Sequence, residues 1–304
     1  MGKKFRQSST ESKKEVFAIK IRIFKSKTGR SFWGDLINFL FLALLGIIML
    51  IPVIFSVSNA FKPLDELFVF PPRFFVRNPT LDNFTILPSL FSDSLVPLSR
   101  YILNTVFITV VGTAGSIIIA SMAAYVLEKK KFKARDMIFN IIVNTLLFTP
   151  TVTAIPNFLI MSKLGFINSY AAILIPVIGS SLNVFLMKQF MVGIPNTILE
   201  AARIDGSGEQ RIFWSIVMPS VKPAWMTLII FSIQNLWGVT GGNYIYSEEL
   251  KTLPYALSQV MSAGLVRAGA SAAIATLMMI IPICVFIVTQ SNIMETMMSS
   301  GIKE

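Results

Sequence analysis

Long stretches without charged side chains constrain this sequence more than any other feature. Six apolar segments lie near residues 36–58, 101–127, 137–161, 167–187, 222–246 and 269–290, and the one charge among them is Lys222 at a segment edge. A helix that crosses a bilayer needs about 20 mostly apolar residues. Only 14% of all residues are charged, whereas soluble chains average roughly a quarter. We therefore predict an all-α, polytopic membrane protein with six transmembrane helices.

The distribution of Lys and Arg predicts how these spans are oriented. Of the 27 basic residues, 20 fall on one side of the predicted membrane and seven on the other. Cytoplasmic loops carry the excess of Lys and Arg. Both termini, the basic tail at 1–35 and the polar loop at 192–222 are therefore predicted to be cytoplasmic, with a transmembrane domain at 36–304. This topology explains the net charge of +11 without a nucleic-acid partner.

Several functional classes lack the residues that they require. The sequence has no His, no phosphate-binding Gly-x-x-x-x-Gly-Lys-Ser/Thr motif and no metal-ligand spacing. We therefore expect neither an enzyme nor a metal or cofactor site on this chain. The single cysteine, Cys284, excludes an intrachain disulfide and is expected to be buried. The uncharged spans also argue against an ion-coupled carrier.

Two local patterns predict structure around the spans. Small residues along the second span favour close helix contact in lipid; they are Gly112, Gly115, Ser116, Ala120, Ser121 and Ala123. Six prolines between residues 62 and 100 argue against a long helix there. A short helix is expected within residues 253–265.

The 192–222 loop is polar at its front and predicts two short helices joined by a bend. Thr197 and Glu200 have the spacing of a capping box for the first helix, and Ser207 and Gln210 have it for the second. Gly206 stands where the first helix should end, because the residue past a helix end commonly needs a positive φ.

The spacing in this loop resembles the EAA loop of ABC importer permeases. The resemblance implies coupling to a separate ATPase by Glu200, Ala201, Ala202, Asp205, Gly206, Ile216, Met218 and Pro219. Two alanines allow a helix to approach a groove wall closely, and Gly206 lets the chain turn without a side chain in the way. Met218 stands where the family often has Leu, a change that nearly conserves volume.

Other segments are similar to carbohydrate permeases of the maltose type, and they include residues 61–66, 78–84, 123–127 and 248–254. The resemblance covers residues 36–304 and implies the type I ABC importer permease fold, in the oligosaccharide or polysaccharide branch. It implies as partners a second homologous permease chain, two ATPase subunits that hold ATP and Mg, and an extracellular solute-binding protein. It also implies the cytoplasmic (inner) membrane of a prokaryote.

Polar residues inside two spans are candidates for the solute pathway. They are Thr151, Thr153 and Asn157 in the third span and Gln234, Asn235 and Trp237 in the fifth. Amides in a membrane helix are costly unless they form hydrogen bonds or face water, and sugars offer hydroxyls and flat C–H faces to such groups. A packing kink and interhelical hydrogen bonds explain the same residues equally well. The family commonly has Trp-Asn at the position of Gln234-Asn235.

These observations predict a permease subunit of an ATP-driven, binding-protein-dependent importer that forms half of a carbohydrate pathway. One alternative is an ABC importer permease for another solute, such as a polyamine or phosphate. A second alternative is an ATP-independent channel or carrier.

Overall fold

The computed structural model describes residues 32–91 and 96–300, and these residues form helices joined by turns, with no strand among them. Most of the basic tail and the last four residues lie outside the described part. The chain divides into two compact units, Met1–Ile54 and Phe55–Glu304. Four helices are long and apolar enough to cross a bilayer, and the number rises to six if each of two bent pairs is one span.

The first unit contributes most of one long helix, α1 (Phe32–Ala60). Its candidate span has the highest mean hydropathy of the described chain, 2.9, and large apolar side chains such as Phe41 and Met49 are exposed along it. Such a surface suits lipid or another apolar chain. The predicted first span, 36–58, lies within this helix.

The second unit is built around α4 (Leu98–Lys129), which matches the predicted second span. This helix packs against α7 (Ala171–Ile178), α8 (Ser181–Val192), α12 (Lys222–Trp237) and α13 (Leu253–Ser262). A Cβ built on Gly112 would lie 2.6 Å from Leu236 Cδ1, and one on Gly115 would lie 2.9 Å from Ile178 Cδ1. Both glycines therefore serve the close helix contact that the sequence predicted.

Breaks in the backbone correct the predicted bounds of three spans. The third is a pair, α5 (Arg135–Thr145) and α6 (Pro150–Lys163), bent by 112°. The fourth comprises α7 and α8 and ends at Val192, five residues later than predicted. The fifth ends at Trp237 and not at residue 246, because Gly238 and a turn with positive φ at Gly241 and Gly242 follow. The last helix, α14 (Ala268–Ser300), contains the predicted sixth span.

The segment between the first and second spans forms two short helices, α2 (Leu64–Leu67) and α3 (Asp82–Leu90), as its prolines predicted. The buried Glu66 carboxylate accepts hydrogen bonds from the backbone N–H groups of Arg77 and Asn78. The Lys62 ammonium donates to Asn59 Oδ1 at 2.7 Å and to the Arg73 carbonyl. Burial lowers the pKa of Lys62, and the attraction to Glu66 opposes this shift.

Of two further predictions in the second unit, one is confirmed and the other is wrong. The short helix expected within 253–265 is α13, which begins at Leu253. Cys284, expected to be buried, is exposed on α14. A membrane helix can present apolar residues outward to lipid, so the apolar surroundings of Cys284 in the sequence did not require burial.

Candidate coupling site

The first loop helix is α9 (Asn196–Ile204), and it follows Pro195 directly. Pro195 occupies the cap position, and no side-chain cap hydrogen bond forms there in the described chain. Thr197 is already inside the helix, so the predicted Thr197–Glu200 capping box is wrong. Proline suits this cap position because the cap residue is extended, with φ of −63° and ψ of 133°, and because proline has no N–H that needs a partner.

The second loop helix begins at Glu209 as α10 (Glu209–Ile212). It continues through a π-helical turn, Phe213–Val217, into α11 (Met218–Ser220). Its cap residue is Gly208, again without a side-chain cap hydrogen bond in the described residues. The predicted Ser207–Gln210 box is therefore wrong as well. A bend of 77° then separates this helix from α12.

Gly206 ends α9 as the sequence predicted, with φ of +79°. The Ser207 N–H donates to the Ala202 carbonyl at 2.9 Å, and the Gly206 N–H donates to the Arg203 carbonyl at 3.0 Å. These two hydrogen bonds form a Schellman motif, which satisfies carbonyls that the helix end leaves open.

The predicted coupling residues separate into an exposed group and a packed group. Leu199 anchors α9 in a hydrophobic cluster at this end of the second unit, and Ile204 is 86% exposed on the opposite side. The exposed predicted residues are Glu200, Ala201, Asp205, Gly206 and Pro219. Those packed in or against the cluster are Ala202, Ile216 and Met218. The structure therefore brings Glu200, Ala201, Asp205 and Gly206 together with Ile204 on one exposed surface, which we call the docking surface.

Glu209 is a site residue that no local sequence pattern indicates. Its carboxylate accepts hydrogen bonds from Tyr125 Oη at 2.7 Å and Arg203 Nε at 2.9 Å, and it pairs with Lys130 Nζ at 2.5 Å. Hydrogen bonds from Lys130 and Tyr125 lower the pKa of Glu209 to about 2. We call Tyr125, Lys130, Arg203 and Glu209 the clasp. It joins both loop helices to the end of α4.

The basic turn after α4 makes further contacts beside the clasp. Lys129 Nζ donates to the Ile194 carbonyl at 2.7 Å, just before α9. Lys188 Nζ lies 2.9 Å from the Glu128 carboxylate, and both side chains are largely buried. The Lys188 ammonium also lies 4.1 Å from the centre of the Phe139 ring. Lys129 and Lys188, which the positive-inside rule uses only to orient the spans, therefore also stabilise this end of the second unit.

The predicted pathway residues lie in different surroundings. Asn157 lines a recess of about 400 Å³ with Thr240 and Tyr244. The Thr153 hydroxyl donates to carbonyls of its own helix. The exposed predicted residues are Thr151, Gln234 and Asn235. Trp237 is instead 7% exposed, and its Nε1–H donates to the Met278 carbonyl at 2.7 Å. The part that these six residues play in a solute pathway stays a prediction.

Asn104, which is not among the predicted pathway residues, lies at the centre of a polar network. Its Nδ2 donates to the Glu249 carbonyl at 2.8 Å and the Lys251 carbonyl at 2.7 Å. Its Oδ1 accepts a hydrogen bond from Tyr170 Oη at 2.8 Å. The network ties α4 to the segment after the fifth span, and its partners are too distant in sequence to be predicted from local pattern.

Comparison with known families identifies the chain. Residues 116–298 match the family described as the binding-protein-dependent transport system inner membrane component. The chain belongs to this family. As a member, it is an inner-membrane transport component and not an enzyme, as the sequence predicted, and members carry no cofactor.

Relatives of this binding-protein-dependent transport component cover most of the chain. Protein LplC of Bacillus subtilis is 32% identical over 70% of this chain and 69% of its own length. The polygalacturonan/rhamnogalacturonan transport system permease protein YtcP of the same organism is 30% identical over 72% of this chain and 74% of its own. An arabinooligosaccharide transport permease, AraQ of Halalkalibacterium halodurans, is 28% identical over 76% of this chain and 81% of its own.

A solved structure has a fold similar to most of this chain. It is a bacterial ABC transporter involved in the import of the acidic polysaccharide alginate, and it is 25% identical with a TM-score of 0.73. The match covers 87% of this chain and 99% of the solved chain. The predicted fold, an all-α type I ABC importer permease, is therefore confirmed.

Proposed function

We propose that this chain forms half of a translocation pathway for an oligosaccharide or polysaccharide fragment, with ATP hydrolysed on a separate subunit. The proposal is supported by relatives of the chain whose names describe transport of polygalacturonan, rhamnogalacturonan and arabinooligosaccharides. It is also supported by the alginate importer that the chain resembles. The partners would be a second permease chain, two ATPase subunits that bind ATP and Mg, and an extracellular solute-binding protein.

The docking surface is the observation that best supports coupling to an ATPase. A hydrophobic side chain that is 86% exposed, Ile204, stands beside the carboxylates of Glu200 and Asp205 on a helix whose other side is anchored by Leu199. Small residues at Ala201 and Gly206 keep the backbone accessible to a groove wall. An apolar centre with charges at its edge is typical of a protein interface.

The positive-inside rule supports the proposed orientation. The five basic residues at 129–135 and the loop at 192–222 would then lie in the cytoplasm with both termini, in the inner membrane of a prokaryote. ATP-driven closure of the two ATPase subunits would move the docked loops, and the transmembrane helices would rock between inward- and outward-facing states. Coupling requires that ATP binding and the outward-facing state favour each other, which is a reciprocal free energy between two sites.

Uptake into cells that express the whole transporter tests the substrate class. We expect labelled oligogalacturonides, arabinooligosaccharides or alginate oligosaccharides to enter in an ATP-dependent manner, and a labelled polyamine to be excluded. A glycerol-3-phosphate arm tests the non-sugar alternative, because a Yersinia pestis permease for sn-glycerol 3-phosphate is 30% identical over 48% of this chain. ATP-independent uptake would contradict the proposal and favour a channel or carrier.

Glu200→Lys is expected to lower uptake about fivefold while the amount of protein in the membrane stays unchanged. Glu200 is exposed and lies outside the bilayer in the proposed topology, so its charge is expected to affect docking and not insertion. Reversing a charge at the edge of an interface typically weakens the complex by about 1 kcal/mol or more. Asp136→Lys is the matched control, because this carboxylate is 95% exposed and outside the docking surface. Failure of the Glu200→Lys variant to insert into the membrane would show that the loop does not lie outside the bilayer as proposed.

A further inference from the structure

The 192–222 loop is connected through the backbone to the fourth and fifth spans only. It follows α8, which ends at Val192, and it precedes α12, which begins at Lys222. The second span has no backbone connection to the loop, although it is the helix around which the second unit is built. Movement of the loop must therefore reach α4 through side chains.

The clasp supplies a charged part of this side-chain connection, in addition to the hydrophobic cluster around Leu199. Glu209 lies at the start of the second loop helix, Arg203 lies in the first, and Tyr125 and Lys130 lie at the end of α4 and just after it. We propose that Glu209 is a positioning residue that transmits movement of the docked loop to the second span. This inference rests on the proposed function, because it requires an ATPase that moves the loop.

The chemistry of the clasp suits this role. One carboxylate accepts hydrogen bonds from three donors, and two of them, Lys130 and Arg203, are cations. Hydrogen bonds that involve ionised groups are roughly twice as strong as neutral ones. The Tyr125 ring also packs against Phe213 of the π-helical turn, with ring centres 5.6 Å apart, so the connection has an apolar part beside the polar one. A two-part contact of this kind moves α4 and the loop as one body.

Two conservative variants of the whole transporter test the proposal. Tyr125→Phe removes only the hydroxyl, and Glu209→Gln removes the charge but keeps the shape. We expect both to retain the ATPase subunit and ATP hydrolysis in liposomes, while uptake of labelled oligogalacturonides, arabinooligosaccharides or alginate oligosaccharides per ATP falls about fivefold. Arg211→Gln is the control, since Arg211 is exposed on the same short helix and outside the clasp.

Exchanging the charges of Glu209 and Lys130 tests whether these two residues interact directly with each other. Glu209→Lys places three cations together and is expected to lower uptake per ATP further than Glu209→Gln. Adding Lys130→Glu restores one anion between two cations and is expected to recover at least half of the lost uptake. A double variant no better than Glu209→Lys alone would overturn the proposal, because it would show no direct coupling between the two positions.

The outcomes also separate this inference from the proposed function. Wild-type uptake per ATP in both conservative variants would overturn the role of the clasp. Loss of the ATPase subunit in parallel with uptake would also overturn it, because that result would show that Glu209 only maintains the fold of the loop. A wild-type complex without an ATPase subunit would overturn the proposed function itself.

Discussion

Replacing Gly206 with Asp is expected to remove the ATPase subunit from the purified complex. Gly206 has φ of +79°, and a side chain in this left-handed region costs about 1–2 kcal/mol, with Asp near the lower end because it adopts this conformation more readily than most residues. No atom lies within 4 Å of a Cβ built there, so the side chain would not clash within this chain. The substitution would instead strain the backbone and change the contact with the docked ATPase. An unpaired carboxylate pressed into an interface costs about 2 kcal/mol more. If the substituted loop relaxes from this conformation and must regain it to dock, both effects lower the affinity, on the order of 100-fold in total, measured as ATPase copurified per permease.

Two neighbouring variants identify which effect is responsible. Gly206→Ala introduces the backbone strain without the charge and should weaken copurification about fivefold, which corresponds to about 1 kcal/mol. Gly208→Asp introduces the same charge two residues later, where φ is −69° and the Cβ has open space. Asp is also a favourable cap residue at the start of a helix. We therefore expect Gly208→Asp to retain the ATPase, and a Gly206→Asp complex that assembles normally would contradict the docking hypothesis.

The sequence predicted those features that depend on local chemistry. The uncharged segments located the spans because a bilayer excludes charge over a fixed thickness. Gly206 was predictable because few residues tolerate a positive φ after a helix. Gly112 and Gly115 were predictable because helix association in lipid relies on small residues. In each case, a single residue type or a short pattern carries the constraint.

Features that depend on distant contacts could not be predicted in this way. Glu209 and Tyr125 are separated by 84 positions in sequence, and neither has a local pattern that indicates the other. The capping boxes failed because several residues near a helix start satisfy the pattern, and Pro195 and Gly208 decided which one begins the helix. The role of Trp237 likewise depends on Met278, which lies in a different span.

Asn83 also depends on contacts that are distant in sequence, and it links α3 to the end of α1 and to α14. Its Nδ2 donates to the Ala60 carbonyl at 3.0 Å and the Lys62 carbonyl at 2.7 Å, and the side chain is 9% exposed. Gly269, at the start of α14, packs directly against it. A Cβ on Gly269 would lie 2.1 Å from Asn83 Oδ1 and 2.6 Å from Cγ. The Asn83 amide cannot move aside without giving up hydrogen bonds on its other face.

Gly269→Ala is therefore expected to destabilise the protein by about 3 kcal/mol. Overpacking a buried contact costs about 1–3 kcal/mol, and the loss of two hydrogen bonds adds about 1 kcal/mol each. Glycine in a helix is otherwise less favourable than alanine by about 0.5–1 kcal/mol, so this substitution should reverse the usual sign. The measurement is the free energy of unfolding in a detergent titration, followed by circular dichroism.

Gly46→Ala is the matched control for Gly269→Ala, because Gly46 is also inside a long helix and no atom lies within 4 Å of its Cβ position. It should be neutral or slightly stabilising. Asn83→Ala removes the obstructing amide, so the double variant Asn83→Ala/Gly269→Ala should be no less stable than Asn83→Ala alone. Additive losses in the double variant would show that Gly269 is needed for a reason other than contact with Asn83, because residues that act through one contact do not contribute independently.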